Sequence, residues 1–244
     1  IDFSGNTAVD GTDGNTRSYS AGGVTVQANA WSRTKGSDTW QKAWLGAYDA
    51  GLGVTDSSES GSGSTHTVDN YGRDNYIVFQ FSQDVVVDKA FLGYVVGDSD
   101  MTVYVGSSTA PITAMNNAVL AGMSLKEFND TGSTSARWAD FNAGDVQGNV
   151  LILAARDDGH SSDYFKVEKL VFEAVQSGGV YANTATVTAP GGLSDSDMSH
   201  YETVPATPGI DLEKTTSGPS NANPTAADYD NEDTPDGAGV PVLT

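Results

Sequence analysis

Short apolar runs, each bounded by clusters of Gly, Asp, Asn and Ser, set the rhythm of this chain, and that rhythm belongs to β-strands joined by tight turns. Val24-Thr25-Val26-Gln27-Ala28 alternates apolar and polar, and Ile77 to Phe81 does so over part of its length. Val85 to Val96 holds two apolar runs split by Asp88-Lys89, as one long strand or two joined ones. Met101 to Val105 alternates again. Asn149 to Ala155 is continuously apolar, as expected of a strand buried on both faces. Tyr164 to Val175 alternates with Lys166, Glu168 and Lys169 mostly outward. Turn residues fill Asp10 to Asn15, Ser57 to Ser64, Gly97 to Asp100 and Asp157 to Ser162. The expected fold is all-β, an antiparallel β-sandwich or jelly roll over residues 1–178. One short helix is expected within Asn116 to Phe128, with Val119, Leu120, Met123 and Phe128 as its apolar stripe and Gly122 weakening it.

From residue 179 the texture changes. Seven of the eight prolines and none of the tryptophans lie there. Tyr181 to Val187 reads as a strand, Ala189 to Gly209 as linker, and Ile210 to Lys214 as the first strand of an incomplete Ig-like segment over 210–244. The sequence opens on Ile1-Asp2-Phe3, as after a removed leader, and stops at Val240 to Thr244 in what reads as mid-strand. A fragment of a longer protein is expected.

Charge narrows the function. Asp plus Glu number 32 against 12 Lys plus Arg, a formal net charge of −20. Phosphate binding needs clustered Lys and Arg, so nucleic acid is not an expected partner. Anionic lipid is disfavoured for the same reason. No stretch approaches the ~20 apolar residues of a membrane span, so no membrane insertion is expected. Cysteine is absent. A chain of 244 residues can bury enough core without disulfides, and an acidic, cysteine-free composition points to a bacterial exterior.

Self-repelling acids gathered in turns suggest a divalent cation. Ca²⁺ takes six to eight oxygens from carboxylates, carbonyls and water. The candidate ligands are Asp98 and Asp100; Asp157, Asp158 and Asp163; Asp195 and Asp197; and Asp228, Asp230 and Asp233, with Glu232 and Asp236 beside them. None fits an EF-hand loop. The plain alternative is that these acids serve turns and solubility. A sugar or peptide site is expected from Trp40, Tyr48, His66, Tyr71, Arg73 and Asp74, since aromatic faces bury area at low entropic cost and polar neighbours supply hydrogen bonds. The alternative is that Trp31, Trp44 and Tyr48 are core residues, favoured for Trp44 by its apolar neighbours. No catalytic motif stands out: His66, His160 and His200 are far apart, with no nucleophile elbow, His-Glu-x-x-His or phosphate loop. A non-enzyme is expected.

The segments YANTATVTAP, LSDSDMSHY and PGIDLEKTT, over roughly the last quarter, resemble a junction between Ig-like repeats of large bacterial surface proteins. DNYIVFQFSQDVVVDKAFLGYVVGDSDMTVYVG and DDGHSSDYFKVEKLVFEA, in residues 1–178, are similar to exported domains of exosortase-associated surface proteins. The resemblance implies a secreted, cell-surface β-sandwich with bound calcium. Three functions are weighed on these grounds. The first is a calcium-binding adhesive or ligand-binding module whose partners are glycans or other surface proteins. The second is a structural subunit of a fibre, sheath or surface layer that pairs with copies of itself. The third is an accessory domain of a carbohydrate-active enzyme.

Overall fold

The computed structural model describes residues 1–6, 13–156 and 163–175, together with the backbone of 180–189 and 193–202. The chain divides into two units, Ile1–Val175 and Gln176–Thr244. In the first unit the strands are β1 (Thr16–Ala21), β2 (Val24–Thr34), β3 (Trp40–Tyr48), β4 (Gly51–Thr55), β5 (Val68–Asp69), β6 (Arg73–Val95) and β7 (Met101–Gly106). Helix α1 (Asn117–Ala121) follows, then β8 (Leu125–Asn129), β9 (Arg137–Asp140), β10 (Gln147–Ala155) and β11 (Tyr164–Ala174). The second unit contributes β12 (Val180–Ala189) and β13 (Leu193–Glu202).

The all-β expectation holds: strand accounts for 58% of the structure, with one short helix. The strands of the first unit form one 11-stranded sheet in which β2, β3, β4, β11 and β6 run in order and β6 pairs back to β2, closing a five-stranded barrel. A two-sheet jelly roll was the expected layout. The difference comes from β6, which runs unbroken through 23 residues. Its first half pairs β2 and its second half pairs β11, so one strand belongs to both sides and the sheet closes on itself.

Alternation drives the packing. Val24, Val26, Ala28 and Ala30 of β2 all face the barrel core, as do Ile77, Phe79 and Phe81 of β6. Phe79, Phe165 and Leu151 are fully buried there, each contributing about 1.5–3 kcal/mol. A second cluster lies on the other face of the sheet, where Trp31, Tyr76, Val78, Tyr104, Ile152 and Leu120 meet. Strand β10 is therefore covered on both faces, as its continuous apolar run predicted.

Three local expectations need correction. The helix covers only Asn117–Ala121, capped by the Asn116 side chain accepting the Val119 N–H at 2.9 Å. Beyond Gly122 the chain turns into β8, where Leu125, Glu127 and Asn129 alternate with exposed Lys126 and Phe128. Lys166 is buried rather than outward, because register shifts on both sides of Val167 break the alternation of β11. In the second unit, β13 occupies what read as linker and pairs residue for residue with β12. Residues 210–244, the expected Ig-like segment, lie outside the described residues.

Candidate metal centre

The turn between β6 and β7 is stitched to the start of β11 by main-chain bonds. Val96 N–H donates to Tyr164 O and Tyr164 N–H to Asp98 O, both at 3.0 Å. Gly97, at φ +75°, makes the sharp bend that brings Asp98 N–H back to Val96 O. Asp98 and Asp163 thereby form a parallel bridge. Asp100 lies two residues along the same turn, and its own N–H donates to Asp163 Oδ1 at 3.1 Å.

One carboxylate oxygen from each of Asp98, Asp100 and Asp163 lies within 4.8 Å of the other two. Two oxygens bound to the same Ca²⁺ at about 2.4 Å sit no more than about 4.8 Å apart, so the three can share one ion. Asp163 is buried, and Asp98 and Asp100 are half-buried. Asn70 fixes Asp163 in place: its Nδ2 donates to Asp163 Oδ2 at 2.6 Å and to Arg156 O at 2.6 Å. Ser99 N–H donates to Asp98 Oδ1 at 2.7 Å, and Thr131 N–H donates to Asp100 Oδ1. Arg137 is a neighbouring cation. It donates to Ser99 Oγ at 2.9 Å, Ser99 O at 2.8 Å and Asn129 Oδ1 at 2.7 Å. Burial lowers its pKa, and the charges of Asp100 and Asp98 oppose that shift. Its guanidinium therefore offsets part of the negative charge while its hydrogen bonds serve Ser99 and Asn129. Three oxygen donors are the chemistry of a hard cation.

Of the other acids singled out in the sequence, Asp157, Asp158, Asp228, Asp230 and Asp233 lie outside the described residues. Asp195 and Asp197 fall in β13, opposite Val187 and Ala185.

The six expected ligand-site residues are distributed over separate places. Trp40 packs on Tyr76, ring centroids 4.7 Å apart, and Arg33 lies over both rings. Asp74 is fully buried and takes the Arg33 guanidinium at 2.7 Å. Arg73 donates to Ser32 Oγ at 2.9 Å and Thr34 Oγ1 at 2.7 Å. Tyr48 stacks on His66 at 4.5 Å, and Lys166 Nζ lies 4.4 Å over the Tyr48 ring. Tyr71 is exposed.

The sequence missed a depression of about 150 Å³ on the outer face of β6, β10, β7 and β8, lined by Arg33, Tyr76, Thr102, Tyr104, Lys126 and Phe128. Lys126 Nζ stands 5.7 Å over Tyr104 and 5.1 Å over Phe128. The period-2 pattern of residues 125–129 carried the signal, but it was read as helix. No family of known proteins, no curated protein and no solved structure matches the chain.

Proposed function

We propose that this chain is a calcium-binding module of an extracellular surface protein, acting in adhesion or ligand binding. The convergence of Asp98, Asp100 and Asp163 carries the reading: two segments more than 60 residues apart are locked together by backbone bonds, and the lock gathers three carboxylate oxygens. A cation there ties the β6–β7 turn to β11 and stabilises the native state by mass action. The groove lined by Arg33, Tyr104, Lys126 and Phe128 supports the ligand-binding part, because aromatic faces and cations suit an acidic sugar. The deciding experiment compares thermal unfolding in millimolar CaCl₂ and in chelator. The melting temperature rises with Ca²⁺ in the native chain, and less in Asp163→Asn. An unchanged melting temperature in chelator rules the calcium reading out.

The hairpin β12–β13 favours a second reading, a subunit of a fibre or surface layer. It forms a two-stranded sheet of its own among the described residues, and an isolated two-stranded ribbon is marginal in water. Pairing with another copy would complete it. Light scattering that shows only monomer at high concentration, with and without Ca²⁺, excludes this alternative.

A further inference from the structure

The depression on the outer face of the sheet comes from one row of cross-strand neighbours. Register sets Tyr76 of β6 opposite Ala154 of β10, Ala154 opposite Thr102 of β7, and Thr102 opposite Phe128 of β8. Two rings stand at the ends of this row and two small side chains lie between them, which leaves the hollow of about 150 Å³. In the adjoining row Tyr104 is opposite Lys126, and these two form its side.

The charges around the hollow do not cancel. Asp74 Oδ2 accepts from Arg33 Nη2 at 2.7 Å, and Asp130 pairs with Arg156, whose guanidinium lies 4.5 Å from the Phe128 ring centroid. Glu127 alternates to the opposite face of β8, where its Oε2 accepts the Asn142 N–H at 2.9 Å. Lys126 is exposed at the rim and has no ion-pair partner among the described residues. The Tyr104 and Phe128 rings beneath its Nζ keep it there. Thr102, in the floor, is 5% exposed, and its side chain shares the face of Ala154 and Phe128. Its hydroxyl bonds to no described residue and is not sealed off, so it opens into the hollow. Polar groups drawn this far from water are matched by a partner, and here the partner is water or a ligand.

Building on the ligand-site reading of the groove, we infer that this hollow is a socket for the carboxylate of a uronic acid residue in a polysaccharide, with the Thr102 hydroxyl donating from the floor and Lys126 Nζ from the rim. Size selects one substituent rather than a whole ligand: the hollow is well below the roughly 300 Å³ at which pockets for complete small molecules begin. The sugar ring itself then lies against exposed Phe128. Charge density selects a uronate. A net charge of −20 repels polyanions, so a chain with one charge per sugar approaches at lower cost than a densely sulfated one. Hydrogen bonds to an ionised acceptor are roughly twice as strong as neutral ones, so Thr102 and Lys126 together separate a carboxylate from its neutral ester.

An NMR titration of the full chain in millimolar CaCl₂ tests this, with trigalacturonic acid, its methyl ester and a sulfated trisaccharide as probes. The variants are Thr102→Val, which keeps the shape and suits a strand, and Lys126→Met, which keeps the stem over the rings. The expected result is amide shifts at residues 102 and 126 with the free acid, and binding about tenfold weaker for the ester and for each variant. If acid and ester bind equally, the groove still takes a sugar but the socket is wrong. If the acid is preferred and Thr102→Val binds like the native chain, the acidic-sugar reading stands and Thr102 does not read the carboxylate. Tighter binding of the sulfated sugar overturns the choice of a carboxylate. Absence of shifts with all three probes removes the socket and the ligand-site reading together.

Discussion

Asn70 and Asp163, 93 positions apart in sequence, meet through an amide–carboxylate bond of 2.6 Å in which Asn70 is the donor. The contact is doubled in the other direction, because Asp163 N–H donates to Asn70 Oδ1 at 3.3 Å. Neither residue has appreciable exposure. The side chain that holds the Asp163 carboxylate is thus itself held by the backbone of its partner.

Asn70→Ala leaves Asp163 Oδ2 and the Arg156 carbonyl short of a donor. A loss of about 1–3 kcal/mol of stability is expected in denaturant unfolding. Calcium affinity at the proposed Asp98, Asp100 and Asp163 site is expected to fall about 10–100-fold, as when outer partners of a ligand are removed. A titration showing unchanged affinity at intact fold would separate Asn70 from the centre.

Lys166 gives a pH signature. It is buried between Tyr48 and Tyr94, with Nζ 4.4 and 4.5 Å from the two rings, and burial pulls its pKa down to about 8. Between about 8 and the ordinary lysine value of about 10.4 the unfolded chain holds a proton that the folded chain has released. Its contribution to stability therefore rises with pH through that window and is at its most unfavourable below 8. Lys166→Met removes the titration. Denaturant unfolding at pH 7 and at pH 10 should show Lys166→Met more stable than the native chain at pH 7, with the gap narrowing at pH 10.

Gly53→Ala sets a Cβ against the His66 carbonyl, a backbone atom that cannot step aside. The expected cost is about 1–3 kcal/mol, as for overpacking. A native melting temperature in this variant would show that the segment joining β4 to β5 moves freely.

Lys126→Ala tests the groove. Lys126 is exposed, so stability should stay within about 0.5 kcal/mol. Retention on an acidic polysaccharide should fall, with a dissociation constant raised about tenfold, equivalent to about 1.4 kcal/mol. Retention equal to the native chain would assign the groove no ligand of this class.

The strands were legible where local pattern and burial agree. Val24 to Ala30 alternates because one face meets the barrel core, and Val150 to Ala155 is apolar throughout because α1 and its neighbours cover the second face. Asp98, Asp100 and Asp163 were visible as acids in turns, but their meeting depends on a bridge between Asp98 and Asp163 that no local pattern encodes. Residues 57–64 resemble flexible linker in the sequence, whereas the segment folds back so closely that the His66 carbonyl meets Gly53. Lys166 misled because a bulge shifts it to the covered face. Strand β13 was missed because Ser194 to Asp197 alternates Ser and Asp where a strand signal needs apolar residues.

The barrel also dictates an order of events. Its wall follows β2, β3, β4, β11 and β6, so β4, already paired to β3, finds its second neighbour only when residues 164–174 have arrived. No subset of the earlier strands can close the ring, and the apolar face of Leu45, Val54 and Ile77 stays open until then. Ring closure between such distant partners is entropically slow. During synthesis this module is therefore expected to linger as an unclosed, association-prone sheet, and truncation before residue 164 should abolish the native state altogether rather than yield a smaller folded core.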